Sequence, residues 1–549
     1  MFEQQIAREA PATLPGNEGG HPHFDISKEP VLAAGNIQGN IIGGFNKDHQ
    51  TMLFLTINDM EKFRSWLRRF VPFIATAAEV WQFNKLFKAI RRRRMVETRA
   101  VQATWINIAF SFNALRKLTA DSDALHSRAP AFNDYDGAGP DAFSAIAFSD
   151  QAFKEGLPAR ATSVLNDPPD ESDLEGSPKN WLFGGPGNEP HIVIVVASDS
   201  ADELHDEVGR IEQSIYSGRA VTGERAPSGL QIVYKQQGAT LPPPLAGHEH
   251  FGFLDGVSQP GLRGLVTPGE VLTPRQNPDD PDQGKPGQDL LWPGEFVFGY
   301  PRQNPKPEED GELNTSPGAV AADGPVWAKD GSFLVVRRLR QDVARFHKFL
   351  TETAKGLDMP RDRFGAKLVG RWPSGAPIMR RPDEDDPALG NDDCANNHFE
   401  FQEGAEEIEE QDGQHEYCAD KRGDAPGDPD GAVCPFAGHI RKTYPRDDER
   451  KPGDGIDEET NETTTQTHRL LRRGIPFGDP YFPPRDPQKQ KDDGNRGLLF
   501  AAYMTSITRQ FEFVTQHWVN NPEFKQASDG NGGLRSGHDL IIGQANNGG

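Results

Sequence analysis

Apolar positions along this chain follow two periods, and the switches between them mark out its elements. Met52 to Ile57 is an apolar-rich run of strand length. Directly after it, Met60, Phe63, Trp66, Leu67, Phe70 and Val71 recur at three- and four-residue steps, which predicts an amphipathic helix. In Thr104 to Phe112, the residues Trp105, Ile106, Ile108, Phe110 and Phe112 predict a mostly buried strand, and His191 to Ala197 predicts another. The segment SDSADELHDEVGRIEQSI then offers Ser198 or Ser200 as an N-cap and places acidic residues in the first turn, where the helix dipole favours them. Gln231 to Tyr234 is a further short strand. Strand–helix–strand twice over predicts an α+β fold with helices laid across an antiparallel sheet.

The pattern returns in kind further along. Glu295 to Tyr300 and Ser332 to Arg338 predict strands, Gln341 to Leu350 an amphipathic helix, Gly497 to Tyr503 a buried strand and Thr508 to Asn520 a helix. No close residue-by-residue repeat accompanies this recurrence. A length of 549 residues exceeds one ordinary core. The division expected is a polar tail over 1–34, a first module over 35–245 and a second over 246–549. Between the later elements lie Thr273 to Leu290, Arg302 to Gly324, Arg380 to Gly431 and Arg446 to Thr467, rich in Asp, Glu, Gly and Pro. Such composition does not build a core, so these are expected to be acidic surface loops.

Composition narrows the partners. With 59 Lys and Arg against 82 Asp and Glu, the formal net charge is −23. That surface repels phosphates and anionic lipid, which argues against nucleic acid or membrane as a partner, and it attracts cations. Acidic runs such as Asp279-Asp280-Pro281-Asp282 lack calcium-loop spacing and are expected to be solvated charge. The three cysteines, Cys394, Cys418 and Cys434, are too few and too odd in number for a disulfide scaffold, and none forms a CxxC pair. The N-terminal residues show no apolar run after positive charge, and stretches such as Ile192 to Ala197 are too short to cross a bilayer. A cytoplasmic location is therefore expected.

Three segments carry chemistry. In His250-Phe251-Gly252-Phe253-Leu254-Asp255-Gly256-Val257-Ser258-Gln259-Pro260, a carboxylate sits between apolar residues and glycines at a tight turn. Gly252 and Gly256 allow close backbone approach to a flat ligand, and apolar neighbours tune Asp255 for proton transfer. An Asp–Gly β-turn explains the same residues without function. In Cys434-Pro435-Phe436-Ala437-Gly438-His439-Ile440-Arg441-Lys442, one imidazole stands among small residues and before a basic cluster that includes Arg446. His439 is suited to bind iron, with Cys434 as an alternative thiolate ligand. Arg441, Lys442 and Arg446 are suited to neutralise carboxylates of a bound group. In His468 to Gly478, Arg472 and Arg473 precede an apolar turn, so one guanidinium is expected in a pocket and the other in solvent. Leu498 and Phe500 project from one face of a strand, either as a pocket wall or as ordinary core.

Taken together and in this order, the segments resemble the dye-decolourising peroxidases, in particular the large fungal-like and actinobacterial-like subgroup. The family's GxxDG motif stands here as Gly252 to Gly256, its CPFAxHIRK segment as Cys434 to Lys442 and its RxGIPFG segment as Arg472 to Gly478. Ile37-Gln38-Gly39-Asn40-Ile41 and Gly497 to Val514 are also similar, so the resemblance runs from about Gly35 to Gly543. Gly438 replaces a common Ala and Tyr444 a common Asn.

The resemblance implies two ferredoxin-like modules and haem b (iron protoporphyrin IX) in the second. It further implies His439 as iron ligand, Asp255 as proton shuttle, Arg472 as charge stabiliser, and hydrogen peroxide with aromatic reductants as substrates. Gly252, Phe253, Gly256, Arg441, Arg446, Leu498 and Phe500 would surround the haem. Asp539, in His538-Asp539-Leu540, is the candidate carboxylate behind His439, although Leu540 stands where a proline is expected. An aspartate stays charged in acid where a histidine is protonated, which implies an acidic optimum with dyes. Tyr444, Tyr503 and Trp518 are candidate electron relays to dyes too bulky for a buried iron. A haem carrier without turnover would need the axial ligand but not Asp255 and Arg472 together. Monomer and homo-oligomer stay equally open.

Overall fold

The computed structural model describes residues 29–94, 101–120, 147–169, 172–216, 228–266, 271–277, 283–306, 315–406, 418, 423–448, 462–482, 494–525 and 536–544. Of the tail expected over 1–34, residues 1–28 lie outside them, as does the acidic run at 279–282, whereas Leu32 and Ala34 are buried in a core and so correct the expectation there. No helix among the described residues is long and apolar enough to cross a membrane.

Strands β1 (His49–Ile57), β2 (Thr104–Phe110), β3 (Ile192–Ser198) and β4 (Leu230–Ala239) form an antiparallel sheet in the order β2-β3-β1-β4. Helix α1 (Met60–Phe70) follows β1, capped by the Asp59 side chain, which accepts from the Lys62 amide at 3.1 Å. The longer α2 (Ala77–Arg94) was not legible in the periodicity, and α3 (Ala201–Tyr216) follows β3. This order of elements and strands is ferredoxin-like.

Period two explains why these strands are apolar at nearly every position. Leu53, Leu55, Ile57, Ile192, Ile194 and Val196 face α1 and α3, meeting Phe63, Trp66, Leu204, Val208 and Ile211. Their alternate neighbours Met52, Phe54, Val193, Val195 and Ala197 face the other way, onto Ile475, Phe477, Leu499 and Ala501 of the second module. Both faces are buried, so polar residues have no place between the apolar ones.

The second sheet is built from β5 (Phe333–Arg340), β6 (Leu471–Arg472), β7 (Ile475–Phe477) and β8 (Gly497–Met504). β8 is central: β5 pairs with it along its whole length in register Arg337↔Phe500, while β6 and β7 pair with it as Arg472↔Ala502 and Pro476↔Leu498. The Arg473 amide donates to the Ala501 carbonyl across the gap between β6 and β7, keeping one frame. Helices α4 (Val343–Gly356) and α5 (Arg361–Val369) follow β5, and the short α6 (His439–Thr443) begins at the candidate ligand.

Three expectations change. Glu295 to Tyr300 is no strand: Pro293–Glu295 is a 3₁₀ turn and the following residues are turns with Phe296, Val297 and Phe298 all buried. A buried loop and a buried strand give the same apolar run, so periodicity cannot separate them. The helix at Thr508 to Asn520 exists but is wound as two π-helical stretches, Ile507–Glu512 and Val514–Val519. The insertion Arg380 to Gly431 is not only surface loop. Its Leu389, Ala395, Phe399, Phe401 and Ala425 pack with Trp372, Ile378 and Cys434 into a core of their own. Cys394 and Cys418 are joined there by a disulfide, their Cα atoms 5.4 Å apart, and Cys434 stays free and buried.

Candidate active site

Asp255 and Arg472 are 217 residues apart in sequence but paired in space, with Arg472 Nη1 donating to Asp255 Oδ1 at 3.1 Å. Asp255 Oδ1 also accepts from the Gly256 amide at 2.6 Å. Among the described residues no hydrogen bond falls on Oδ2, which is left open. Arg472 is itself aimed: Nη2 donates to the Ser258 carbonyl at 2.9 Å. The Gln259 side chain bridges the Arg472 backbone, donating to its carbonyl at 3.1 Å and accepting from its amide at 3.3 Å. Both charged side chains remain 35% exposed and line a cavity of about 470 Å³ together with Gly256, Gln259 and Arg275.

His439 lies within electrostatic reach of this charge pair. Its Nδ1 is 2.6 Å from Asp539 Oδ2, and a carboxylate can only accept, so Nδ1 carries the proton and Nε2 presents a lone pair. Among the described residues Nε2 makes no hydrogen bond. Asp539 is fully buried and fixed in turn by the Ile541 and Ile542 amides on Oδ1, while its own amide donates to Val519 O. Burial works to lower the His439 pKa, but the charge and hydrogen bond of Asp539 outweigh it and the net shift is upward. Arg472 and Asp255 also act on this imidazole, so the three groups share one electrostatic neighbourhood. Of the His439 side chain, 28% stays accessible.

Two glycines of the Asp255 turn leave open space. Gly252 and Gly256 take φ of 98° and 75°, and a Cβ on either would meet nothing within 4 Å. Phe253 points away, packed edge-on against Phe346 of α4 and close to Gly365. Leu498 and Phe500 are half-buried on the β8 face opposite the inter-sheet core. Phe500 touches Phe511 across 6.0 Å.

The expected carboxylate-neutralising role of Arg441 is corrected. Arg441 spends every N–H inside the protein, on Asp448, Asp428 and the Cys434 and Asp428 carbonyls. Arg446 Nη1 donates to the Asn397 and Phe399 carbonyls and Glu400, and Lys442 Nζ to Asn521 O, Phe524 O and Ser536 Oγ. Their side chains organise buried loops, where losing one partner of a buried pair typically costs about 3–5 kcal/mol. Arg473 is half-buried at the same cavity, where its guanidinium holds the carbonyls of Asn40, Ile41 and Ile42. Cys434 is fully buried and pushed up to about 12 by that burial, so it is a thiol rather than a ligand thiolate.

Among the relay candidates, Tyr503 and Trp518 are buried, and the Trp518 indole packs against His468, Phe513 and Phe524. The Tyr444 ring carries the Arg469 guanidinium at 3.6 Å.

Glu249 went unnoticed in the sequence, although it precedes His250 directly. Its carboxylate accepts from the Phe251 amide at 2.8 Å and the Phe253 amide at 2.9 Å, with Gln341 as a third donor. It holds the turn carrying Asp255 from behind. Burial pushes its pKa up to about 7, helped by the charge of Asp255. A carboxyl raised in the folded state stabilises the fold fully below its unfolded pKa, and that stability is lost as pH rises through about 7. Glu462, also pushed to about 7 by burial and by Asp289, acts in the same direction. Melting temperature should therefore fall between pH 5 and 8 in the wild type (about the span these shifts set), and Glu249→Gln should flatten the fall. An unchanged slope in that variant would remove Glu249 from the account.

Residues 36–227 match the DyP dimeric alpha+beta barrel domain. The chain is 30% identical over 539 residues to a dye-decolorizing peroxidase of Exidia glandulosa, covering 96% of this chain and 82% of that one. It is 29% identical to dye-decolorizing peroxidase msp1 of Mycetinis scorodonius, covering 95% of this chain and 80% of the relative. Among solved structures, an ancestral D-type dye decolorizing peroxidase aligns with TM-score 0.66 at 33% identity, covering 94% of this chain and 90% of that one.

Proposed function

Because the chain belongs to the dye-decolorizing peroxidase family, we propose that Asp255 and Arg472 form the peroxide-handling side of its haem cavity and that His439 faces them as the iron ligand. The chain is a haem peroxidase, an oxidoreductase that passes electrons from organic reductants to a peroxide. The observation that carries the residue roles is the pairing of Asp255 with Arg472 at 3.1 Å opposite an imidazole locked to Asp539 at 2.6 Å.

The residues fit haem. Among the described residues His439 Nε2 makes no hydrogen bond, and the two positive-φ glycines leave open space where side chains would intrude. No cysteine pair of the kind that attaches haem covalently is in the sequence, which supports haem b. His439 would hold the iron, with Leu498, Phe500 and the Gly252 to Gly256 turn bounding the macrocycle. Bound there, haem supplies an iron able to take up two oxidising equivalents from peroxide.

The protein's own groups then have distinct tasks. Asp255 Oδ2 takes the proton of hydrogen peroxide and returns it to the oxygen that leaves as water. Arg472, charged at every working pH, offsets negative charge as the O–O bond lengthens. Asp539 keeps the proton on His439 Nδ1, fixes the tautomer and makes Nε2 a stronger donor. Gly252 and Gly256 keep the cavity floor free of Cβ atoms. Reductants are aromatic molecules, each giving one electron at a time. The boundary between the two modules is placed near residue 245, between the last strand of the first sheet and the Asp255 turn.

The test is a visible spectrum of the purified protein before and after one equivalent of hydrogen peroxide. A haem band that shifts within the mixing time and returns as a phenol or dye is consumed is the expected result. A band that does not respond to peroxide would favour a haem carrier. The Cys394–Cys418 disulfide supports assembly in an oxidising compartment rather than the cytoplasm expected from the sequence.

A further inference from the structure

The carboxylate behind His439 comes from a short segment with little packing of its own. Within residues 536–544, Asp539 is fully buried and Ile541 packs on the cluster of Leu350 and Phe364, but Leu540 and Ile542 are exposed. What fixes this segment is the turn that follows the second π-helical stretch. The Asp539 amide donates to the Val519 carbonyl at 3.0 Å, and the Gly537 amide to the Pro522 carbonyl at 3.0 Å. The Gln544 amide donates to Asn520 Oδ1 at 2.7 Å. The Ser536 hydroxyl also donates onto this turn, between the Pro522 and Phe524 carbonyls. Where the turn sits therefore decides where Asp539 sits.

One side chain joins that turn to the helix of the candidate iron ligand. Lys442 stands three positions after His439 on α6, a spacing that puts both on one helical face. It is wholly buried, and its ammonium donates to the Asn521 carbonyl at 2.8 Å, to the Phe524 carbonyl and to Ser536 Oγ at 3.2 Å. Two of these acceptors belong to the turn and the third to the Asp539 segment itself. A buried ammonium is costly unless its three N–H groups find acceptors, so turn and segment are drawn around it.

We propose that Lys442 is a positioning residue for the iron ligand: it locks the Asp539 segment to α6 and so holds the His439–Asp539 hydrogen bond at 2.6 Å. This rests on the reading of His439 as that ligand. The imidazole and the ammonium leave one helix face and meet one unit of turn and segment, which ties the two parts at two points. A charge-assisted bond of this length weakens as its partners separate. With a weaker bond, Nε2 gives up less electron density, and ferric iron loses more support than ferrous iron. When Lys442 is removed the carboxylate is still present, but its distance is no longer set.

The test is potentiometric titration of the holoenzyme, followed at the haem absorption band. Lys442→Met removes the three donors, and Ser536→Ala removes only the link to the segment. In Lys442→Met the ferric–ferrous midpoint is expected to rise by the equivalent of a tenfold change in relative stability, about 59 mV for one electron. Ser536→Ala should move it the same way by less, and it decides the outcome if Lys442→Met does not fold. Thr443→Val is the control. Its hydroxyl donates to the His439 carbonyl at 2.8 Å within α6 and, among the described residues, bonds neither turn nor segment, so the midpoint should stay at the wild-type value. A midpoint unmoved in both Lys442→Met and Ser536→Ala, or raised equally in Thr443→Val, would overturn the proposal. Asp539→Asn separates it from the ligand reading. A midpoint raised there alone keeps His439 as ligand and removes Lys442 from its support, whereas one unmoved there as well sinks both.

Discussion

His439→Ala is expected to yield a folded chain that no longer retains haem. The imidazole is held in direction by Asp539 at 2.6 Å, and among the described residues its Nε2 makes no hydrogen bond. Alanine removes the donor while leaving α6 its capping geometry, since Gly438 caps it without a side-chain bond. The ratio of haem to protein absorbance after purification checks this, with circular dichroism confirming the fold. Asp539→Asn separates ligand from support. An amide oxygen can still accept from Nδ1 but brings no charge, so haem affinity is expected to fall about 10–100-fold rather than vanish. Full haem retention with an unaltered spectrum in His439→Ala would refute the ligand assignment.

Asp255→Asn is expected to keep its haem and lose most of its reaction with hydrogen peroxide. Asparagine preserves the turn and can accept from Arg472, but its oxygen cannot take a proton at working pH. A positioned acid–base group contributes about 10²–10⁴-fold, and a loss of that order in the rate of the peroxide-induced spectral change is the expected result. The single-mixing rate isolates this step from oxidation of the reductant. A variant that reacts with peroxide at the wild-type rate would move the proton-handling role to another group. The same measurement bears on Gln259, whose side chain clamps both backbone polar groups of Arg472 and thereby sets where the guanidinium points.

Much of the scaffold was legible because both faces of the central strands are buried. Met52 to Ile57 and His191 to Ala197 are apolar throughout for that reason, and α1 and α3 show their period because each has only one buried face. Where burial was not tied to a regular element, the pattern misled. Phe296 to Phe298 pack as a turn, and the polar insertion Arg380 to Gly431 hides a core of widely spaced apolar residues closed by a disulfide.

The same division runs through the candidate site residues. The sequence alone determined which residue types were present, in which order, and hence the family they resemble. Asp255, His439 and Arg472 are short-range features, each framed by its own glycines, small residues or apolar turn. Only the tertiary structure decided which neighbouring charges were free to act. Arg441 and Arg446, adjacent to the ligand in sequence, are consumed by buried carboxylates and carbonyls. Glu249 and Gln259, unremarked in the sequence, hold the distal turn and Arg472 in place, and Asp539 reaches His439 from 100 residues away. The reason is physical. A charge in a protein interior is assigned by the partners that desolvation forces it to find, and those partners come from distant parts of the chain.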